Sequence, residues 1–383
     1  MSKKTKLSVV DGVGDAFKKV SELESQLRGA FYERDEEIRG LLLALLAGEH
    51  LLLLGPPGTA KSLLAKTLSQ ALGGKYFEVL LTKFSTPEEV FGPISLSGLE
   101  NDEYRRVTGG YFPECEVAFL DEIFKSNSAL LNSLLTGLNE RKFDNGGSRV
   151  DIPLKMAIGA SNELPQDDSL GALYDRFVIR FWVDYIRDRD LLGKLLSSAA
   201  MPSVSASISN AELLALQASV EAVDVSNIID EVLEVRDILA KKHSIVASDR
   251  RWRKVMSIVR ANAVLEGRAV AITEDLLPLA NCLWDKPEDR TAIYTVIANM
   301  VSPDLRAALV LRDSAVEAYV SITDESDVQT LAAANNQLLQ IKEELGKLDS
   351  SPKIDEICQE VQGYQKDIAR FVADKLGVQM GGF

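Results

Sequence analysis

The stretch LLLLGPPGTAKS, Leu51 to Ser62, constrains this chain more than any other segment. Four consecutive leucines make an apolar run of the length of a buried strand. The run stops at Gly55, passes through a Pro/Gly-rich turn and ends in Lys61 and Ser62. This is the GxxxxGK[ST] pattern of a phosphate-binding P-loop, with Ala60 in place of the second glycine. In such a loop, backbone N–H groups and a helix N-terminus surround a polyphosphate. The lysine adds charge at the β and γ phosphates, and the Ser/Thr hydroxyl ligates Mg²⁺. The candidate nucleotide-binding residues are therefore Gly55, Pro56, Pro57, Gly58, Thr59, Ala60, Lys61, Ser62 and Leu63, with Ser62 also a candidate metal ligand. Alanine at position 60 is acceptable if its φ is negative and its Cβ points away from the phosphates, with Gly58 supplying the unusual backbone angles. A helix begins at this position, and alanine is the best helix former. The turn alone leaves a damaged or look-alike loop open.

Downstream residues narrow the choice. VAFLDEI, Val117 to Ile123, places Asp121 and Glu122 at the C-terminal end of an apolar strand, where α/β sheets hold their ligands. Asp121 is the expected second Mg²⁺ ligand, and Glu122 the general base that polarises the attacking water. In AIGASN, Ala157 to Asn162, the asparagine ends another buried strand and can orient water and γ-phosphate. Taken alone, it would read as a cap or turn residue. In LYDRF, Arg176 ends a helical turn and is a candidate arginine finger, delivered from a neighbouring subunit. Arg180, four residues on, reads as a surface ion pair. In SDRRWRK, Ser248 reads as an N-cap and Arg250 falls in the first helical turn, where a cation opposes the helix dipole. That cost favours a phosphate-sensing role.

Periodicity sets the organisation. Phe17, Val20, Leu23, Leu27 and Phe31 mark an amphipathic helix, and a second runs from Asp35 to Ala47, ending at Gly48. Leu51–Leu54, Val117–Leu120, Met156–Gly159 and Phe177–Val183 read as strands, with a helix from Ser62 to Leu72. TPEE at 86–89 reads as a capping box, Ser126 as the cap of a leucine-rich helix, and Asn145-Gly146 as a hairpin turn. Alternating strands and helices imply an α/β fold with a parallel sheet covered on both faces. The Ser/Ala-rich stretch 197–209 suggests a boundary. Three domains are expected: an αβα core over 1–196, an all-α domain over 210–288 and a helical bundle over 289–383. In the last, Leu331, Leu338 and Leu345 recur by sevens, and Ile354, Ile357, Val361, Tyr364, Ile368 and Phe371 alternate threes and fours. Two antiparallel helices joined near the serine- and proline-containing residues 349–353 fit this, as packing within the domain rather than an intermolecular coiled coil.

The 383 residues carry a net charge of −14, which argues against a general electrostatic grip on nucleic acid. Three cysteines without a CxxC pattern read as reduced thiols, and two histidines make a His-based metal site or triad a poor fit. No signal peptide or transmembrane segment is visible, because Gly48, Glu49 and His50 interrupt the longest apolar stretch. The cytoplasm is the expected compartment.

The order of these motifs resembles that of an AAA+ ATPase, and the detail resembles the MoxR branch and its RavA-like subclass. The resemblance rests on YERDEEIRGLLLALLAGEHLLLLGPPGTAKS, TKFSTPEEVFGPIS, GGYFPECEVAFLDEI, LLNSLLTGLNERKF, ASNELP, ALYDRFVIRFW and SDRRW. It implies a P-loop AAA+ core with an all-α lid. Lys61 and Ser62 match Walker A, Asp121 and Glu122 Walker B, Asn162 sensor 1, Arg176 the arginine finger and Arg250 sensor 2. Alanine before the lysine is common in MoxR-type loops. A helix-2 insert would correspond to about Pro93–Tyr111 and a pre-sensor-1 hairpin to about Phe143–Ile152. Within the insert, Tyr104, Arg105 and Arg106 are candidate contact residues beside the simpler reading of solvated loop positions. The β-rich, decarboxylase-binding insertion of RavA relatives has no counterpart in the helical pattern of 291–383. The resemblance implies a homo-hexameric, ATP- and Mg²⁺-dependent ring that remodels or matures protein clients with a von Willebrand A-domain (VWA) partner. A nucleotide-gated adaptor and a nucleic-acid motor are the alternatives.

Overall fold

The computed structural model describes residues 13–165, 170–198, 201–320, 322, 327–348 and 352–376. The chain divides into two compact units, Met1–Arg290 and Thr291–Phe383. Strands of the first unit are β1 His50–Leu54, β2 Tyr76–Leu80, β3 Val117–Asp121, β4 Lys142–Asn145, β5 Ser148–Asp151, β6 Met156–Ser161 and β7 Phe177–Trp182. Its helices are α1 Val13–Ala30, α2 Asp35–Ala47, α3 Lys61–Ala71, α4 Pro87–Phe91, α5 Leu96–Leu99, α6 Ser128–Glu140, α7 Gly171–Tyr174, α8 Arg189–Ser197, α9 Asn210–Glu221, α10 Ile229–His243 and α11 Asp249–Leu265.

Five strands form one parallel sheet in the order β2-β3-β6-β1-β7. Every residue of β1 and β6 is buried. Successive side chains of a strand point to opposite faces, so both faces of the sheet centre are covered, as the leucine run requires. The topology positions the site. β6 lies between β1 and β3, with Leu54 opposite Ser161 and Leu120 opposite Gly159. The C-terminal ends of β1, β3 and β6 therefore stand side by side, and they lead into Gly55, Glu122 and Asn162.

At its N-terminal end β1 is fixed by His50, which is buried. Its Nδ1 accepts from Ala157 N at 3.1 Å, and its Nε2 lies 2.9 Å from Leu138 O. An accepting Nδ1 sets the Nε2–H tautomer, which donates to that carbonyl. The ring ties β1 to β6 and to the end of α6. Burial pushes its pKa down to about 3, so it is a neutral core histidine.

Several local expectations shift. The strand β2 has no apolar run to announce it: its Tyr-Phe-Glu-Val-Leu pattern sits on a sheet edge with one residue of five buried. Asn127, not Ser126, caps α6; its Oδ1 accepts from Leu130 N at 3.0 Å. Thr86 precedes α4, but its side chain makes no cap hydrogen bond, so the 86–89 capping box does not form. The hairpin forms one residue later than the Asn145-Gly146 signal: its two loop residues are Gly146 at φ +60° and Gly147 at φ +80°, and Asn145 pairs with Ser148 in the ladder.

Helices α1 and α2 pack against α9, and α2 also meets α11. Residues of the 197–209 stretch are held to the unit: Gln26 Oε1 accepts from Ser205 N and Ala206 N, and Ile208 N donates to Ala71 O. Ala199 and Ala200 lie outside the described residues, as do residues 1–12. Cys115, Cys282 and Cys358 are unpaired, and burial pushes the first two thiols up to about 12.

α12 Asp289–Val301 spans the division between the units, followed by α13 Pro303–Val320, α14 Val328–Leu345 and α15 Pro352–Leu376. The last three pack on one another. Leu331, Leu338, Leu345, Ile354, Ile357, Val361 and Ile368 are buried, and Tyr319 stacks on Tyr364 at 4.5 Å. The heptad faces thus close an intramolecular core. Of the turn expected at 349–353, residues 349–351 lie outside the described residues. No described helix is long and apolar enough to cross a membrane.

Candidate nucleotide-binding site

The P-loop is a strand–turn–helix, as its sequence demands. Gly55 has φ +131°, and a Cβ there would lie 2.2 Å from Val183 O, so only glycine fits. Gly58 has φ +80°. Ala60 overturns the expectation of negative φ: it sits at φ +64°, ψ +23°, the residue before α3. Left-handed backbone costs a non-glycine residue roughly 1–2 kcal/mol. The surrounding loop holds that strain in place. Ala60 O accepts the first α3 bond from Leu64 N at 3.0 Å, and Thr59 Oγ1 donates to Pro56 O at 3.1 Å. Gly58 and Ala60 both take positive φ, the kind of backbone turn that lets N–H groups face an anion.

Lys61 folds over this loop. Its Nζ donates to Gly55 O and Pro56 O, both at 2.8 Å, and lies 3.3 Å from Thr59 Oγ1. Burial lowers its pKa, against the raising effect of Asp121 and Glu122. Burial likewise raises the Asp121 carboxyl, whose Oδ1 accepts from Glu122 N at 3.0 Å, and Lys61 pulls it back down. Glu122 adopts φ +51°. Its Oε1 accepts from Asn162 Nδ2 at 2.7 Å and lies 3.2 Å from Lys125 Nζ, while Oε2 is buried with no hydrogen-bond partner. Lys61, Asp121, Glu122 and Asn162 thus form one cluster at three neighbouring strand ends.

Ser62 is the second residue of α3, and with Asp121 it offers hard oxygen donors suited to Mg²⁺. Among the described residues no group of three or more His, Cys, Asp or Glu could hold a metal, which excludes an all-protein cage of that kind. Mg²⁺ bound with a nucleotide needs only one or two protein ligands beside phosphate and water.

Arg176 and Arg250 stand on the turn after α7 and in the first turn of α11. Arg176 Nε is buried with no hydrogen-bond partner, and Arg250 is exposed. Ser248 caps α11 as expected, its Oγ accepting from Arg251 N at 3.1 Å. Arg180 is not a surface ion pair. It is wholly buried, and it donates to Phe177 O, Tyr174 O, Trp284 O and Asp285 Oδ1.

Among the loop candidates, Tyr104 and Arg105 are exposed. Arg106 is tied inward: its Nη1 donates to Glu88 Oε1 at 3.0 Å and to Gly92 O at 2.8 Å. Asn145 of the hairpin bonds both backbone groups of Arg106, accepting from its N at 2.6 Å and donating to its O at 3.2 Å. The segment 93–111 and the hairpin are therefore docked together.

Sequence reasoning missed Arg34. It is buried, with Nε 3.4 Å from Thr59 O, Nη1 donating to Glu33 O at 2.5 Å and Nη2 to Asp184 O at 2.6 Å. It braces the P-loop against the chain after β7. A signal was present: Arg34 directly precedes an acidic first helical turn, Asp35-Glu36-Glu37, a cation at the position that disfavours one.

A parallel sheet of this order, a P-loop after its interior strand β1 and an acidic pair at the end of β3 define the AAA+ class of P-loop ATPase folds. The profile of the "MoxR domain in the MoxR-vWA-beta-propeller ternary systems" matches residues 18–221, and an "AAA lid domain" profile matches 227–297. An uncharacterised protein of Methanocaldococcus jannaschii is 40% identical over 285 residues, covering 74% of this chain and 75% of its own. The chaperone MoxR1 of Mycobacterium tuberculosis is 23% identical over 334 residues, covering 79% and 85%. A crystal structure of a candidate ATPase from Cytophaga hutchinsonii superposes with TM-score 0.62 at 18% identity, covering 75% and 95%. This chain belongs to the MoxR family of AAA+ ATPases.

Proposed function

We propose that the chain is a Mg²⁺-dependent ATPase that assembles into a homo-hexameric ring and remodels or matures client proteins in the cytoplasm. The observation that supports this best is the cluster of Lys61, Asp121, Glu122 and Asn162 at adjoining strand ends. Bound between Ser62, Asp121 and the phosphates, Mg²⁺ would neutralise charge on the triphosphate. The P-loop N–H groups hold the β and γ phosphates, and Lys61 exchanges its contacts with Gly55 O and Pro56 O for phosphoryl oxygens. Glu122 accepts a proton from the attacking water, and Asn162 fixes the carboxylate that does so. Arg176 serves the site of a neighbouring subunit, and Arg250 reads the γ-phosphate from the lid. In this reading residues 1–196 are the nucleotide-binding core, 210–288 the lid and 289–383 an accessory bundle.

The family description names vWA and β-propeller components, and one relative is named a chaperone. A VWA-domain protein is accordingly the partner we assign. Glu122→Gln keeps the site's shape but removes the base. The variant should copurify with ATP and with its clients. Rapid release of ADP and phosphate by Glu122→Gln, at the wild-type rate, would remove Glu122 as base and with it this reading of the site.

A further inference from the structure

Asp175 precedes Arg176, and Arg251 follows Arg250. Their side chains are paired: Arg251 Nε donates to Asp175 Oδ1 at 3.0 Å, and Nη2 lies 2.8 Å from the same oxygen. Arg251 is only 6% exposed. Its Nη1 donates to Asp285 Oδ1 at 2.8 Å, and Arg180 Nη1 donates to that same oxygen at 2.8 Å. Arg180 also holds Tyr174 O at 3.0 Å and lies 3.7 Å over the Tyr174 ring, while the Tyr174 hydroxyl donates to Asp285 O at 2.9 Å. Two arginines and two aspartates thus balance in one partly buried network. It holds residues 174 and 175 from Arg251 of α11, from Asp285 and from Arg180 of β7.

The turn that carries Arg176 is short and self-bonded, with Arg176 N donating to Leu173 O at 3.0 Å. A turn held on both sides moves with what holds it. Removing Arg251 takes away the side-chain cation that holds Asp175, whereas removing Asp175 leaves Arg251 to Asp285 alone.

We propose that the Asp175–Arg251 ion pair couples the lid helix bearing Arg250 to the turn bearing Arg176. Nucleotide state read by one subunit's lid then sets the arginine which that subunit offers to its neighbour. Asp175 and Arg251 are positioning residues, and neither touches nucleotide. The proposal rests on the roles assigned above to Arg176 and Arg250.

Complementation in mixed assemblies tests it. An Asp175→Asn subunit should bind ATP as wild type does, yet turn over roughly 10- to 100-fold more slowly, the cost of a displaced catalytic group. Its own site would be intact and its donated arginine misplaced. Mixing it with Lys61→Ala, which has the reverse defect, should restore turnover above the sum of the two. Mixing it with Arg176→Ala, which shares the defect, should restore nothing. Asp175→Glu, which keeps the charge, should recover part of the loss. Wild-type turnover by Asp175→Asn, or restoration by Arg176→Ala, would overturn the coupling. If Asp175→Asn does not fold, Arg251→Lys carries the same test, since it keeps the charge and loses the planar fork. Absent turnover in wild type, or full turnover in Arg176→Ala, would overturn the assigned function and the coupling with it.

Discussion

The Nδ2 amide of Asn162 donates to Glu122 Oε1 at 2.7 Å, joining the end of β6 to the acidic pair after β3. Lys125 Nζ approaches the same oxygen at 3.2 Å, so one carboxylate oxygen is doubly held while the other is buried and unpartnered. A carboxylate fixed at one oxygen presents the other in a defined direction. Asn162→Ala should therefore leave nucleotide affinity near wild type and lower turnover by roughly 10- to 100-fold, the usual weight of orientation or proton transfer. Parallel titration of nucleotide binding and phosphate release separates the two. An equal loss in both would mean that Asn162 holds nucleotide rather than Glu122.

Arg34 predicts a coupling of stability to affinity. Arg34→Met leaves Thr59 O, Glu33 O and Asp184 O without their donor. An orphaned acceptor costs about 1–3 kcal/mol when fully buried and less where, as at Glu33 O and Asp184 O, it is only partly buried. Chemical denaturation should show a loss of about 2–4 kcal/mol. Nucleotide affinity should fall as well, because the Thr59 carbonyl belongs to the phosphate loop. Unchanged affinity in a destabilised variant would confine Arg34 to the scaffold.

Ala60→Gly relieves a left-handed alanine at φ +64°. The relief of roughly 1–2 kcal/mol is offset by the glycine's greater freedom in the unfolded chain, about 0.5–1 kcal/mol. Thermal melting should show no loss and a gain of up to about 1 kcal/mol. A clear destabilisation would mean that the methyl group packs against something the loop needs.

His50 gives a pH dependence with a definite sign. Its folded pKa is about 3 against an ordinary 6.5, so the unfolded chain takes up a proton first as pH falls. The stability from neutral, doubly bonded His50 is present above pH 6.5 and drains away as pH drops toward 3. Between pH 7 and pH 5 wild type should lose about 2 kcal/mol more than His50→Gln, which does not titrate there. Parallel denaturation curves for the two proteins at both pH values would contradict this.

Much of the architecture is legible in the sequence. The bounds of α2 can be read to the residue, because an acidic start and a glycine stop are local signals. The leucine run marks β1, since a strand buried on both faces needs no alternation. The edge strand β2 escapes because its burial depends on β3 beside it, a non-local fact. Among site residues, Lys61, Asp121, Glu122 and Asn162 are legible from strand ends, and the sheet order brings them together. Arg180 reads wrongly as a surface residue, and Arg251 carries no signal, because their partners, Asp285 and Asp175, lie far along the chain, 105 and 76 residues away. At Ala60, propensity argues for helix and the loop's own bonds argue otherwise. For the two arginines a tertiary contact outweighs a local preference, and for Ala60 the loop's own hydrogen bonds do.

The most direct test of the central claim is Mg²⁺-dependent phosphate release from ATP by the purified chain, measured beside Lys61→Ala and Glu122→Gln. The account predicts turnover in wild type, loss of both binding and turnover in Lys61→Ala, and tight ATP binding without turnover in Glu122→Gln. Phosphate release that persists in Glu122→Gln, or wild type that binds no nucleotide, would contradict it.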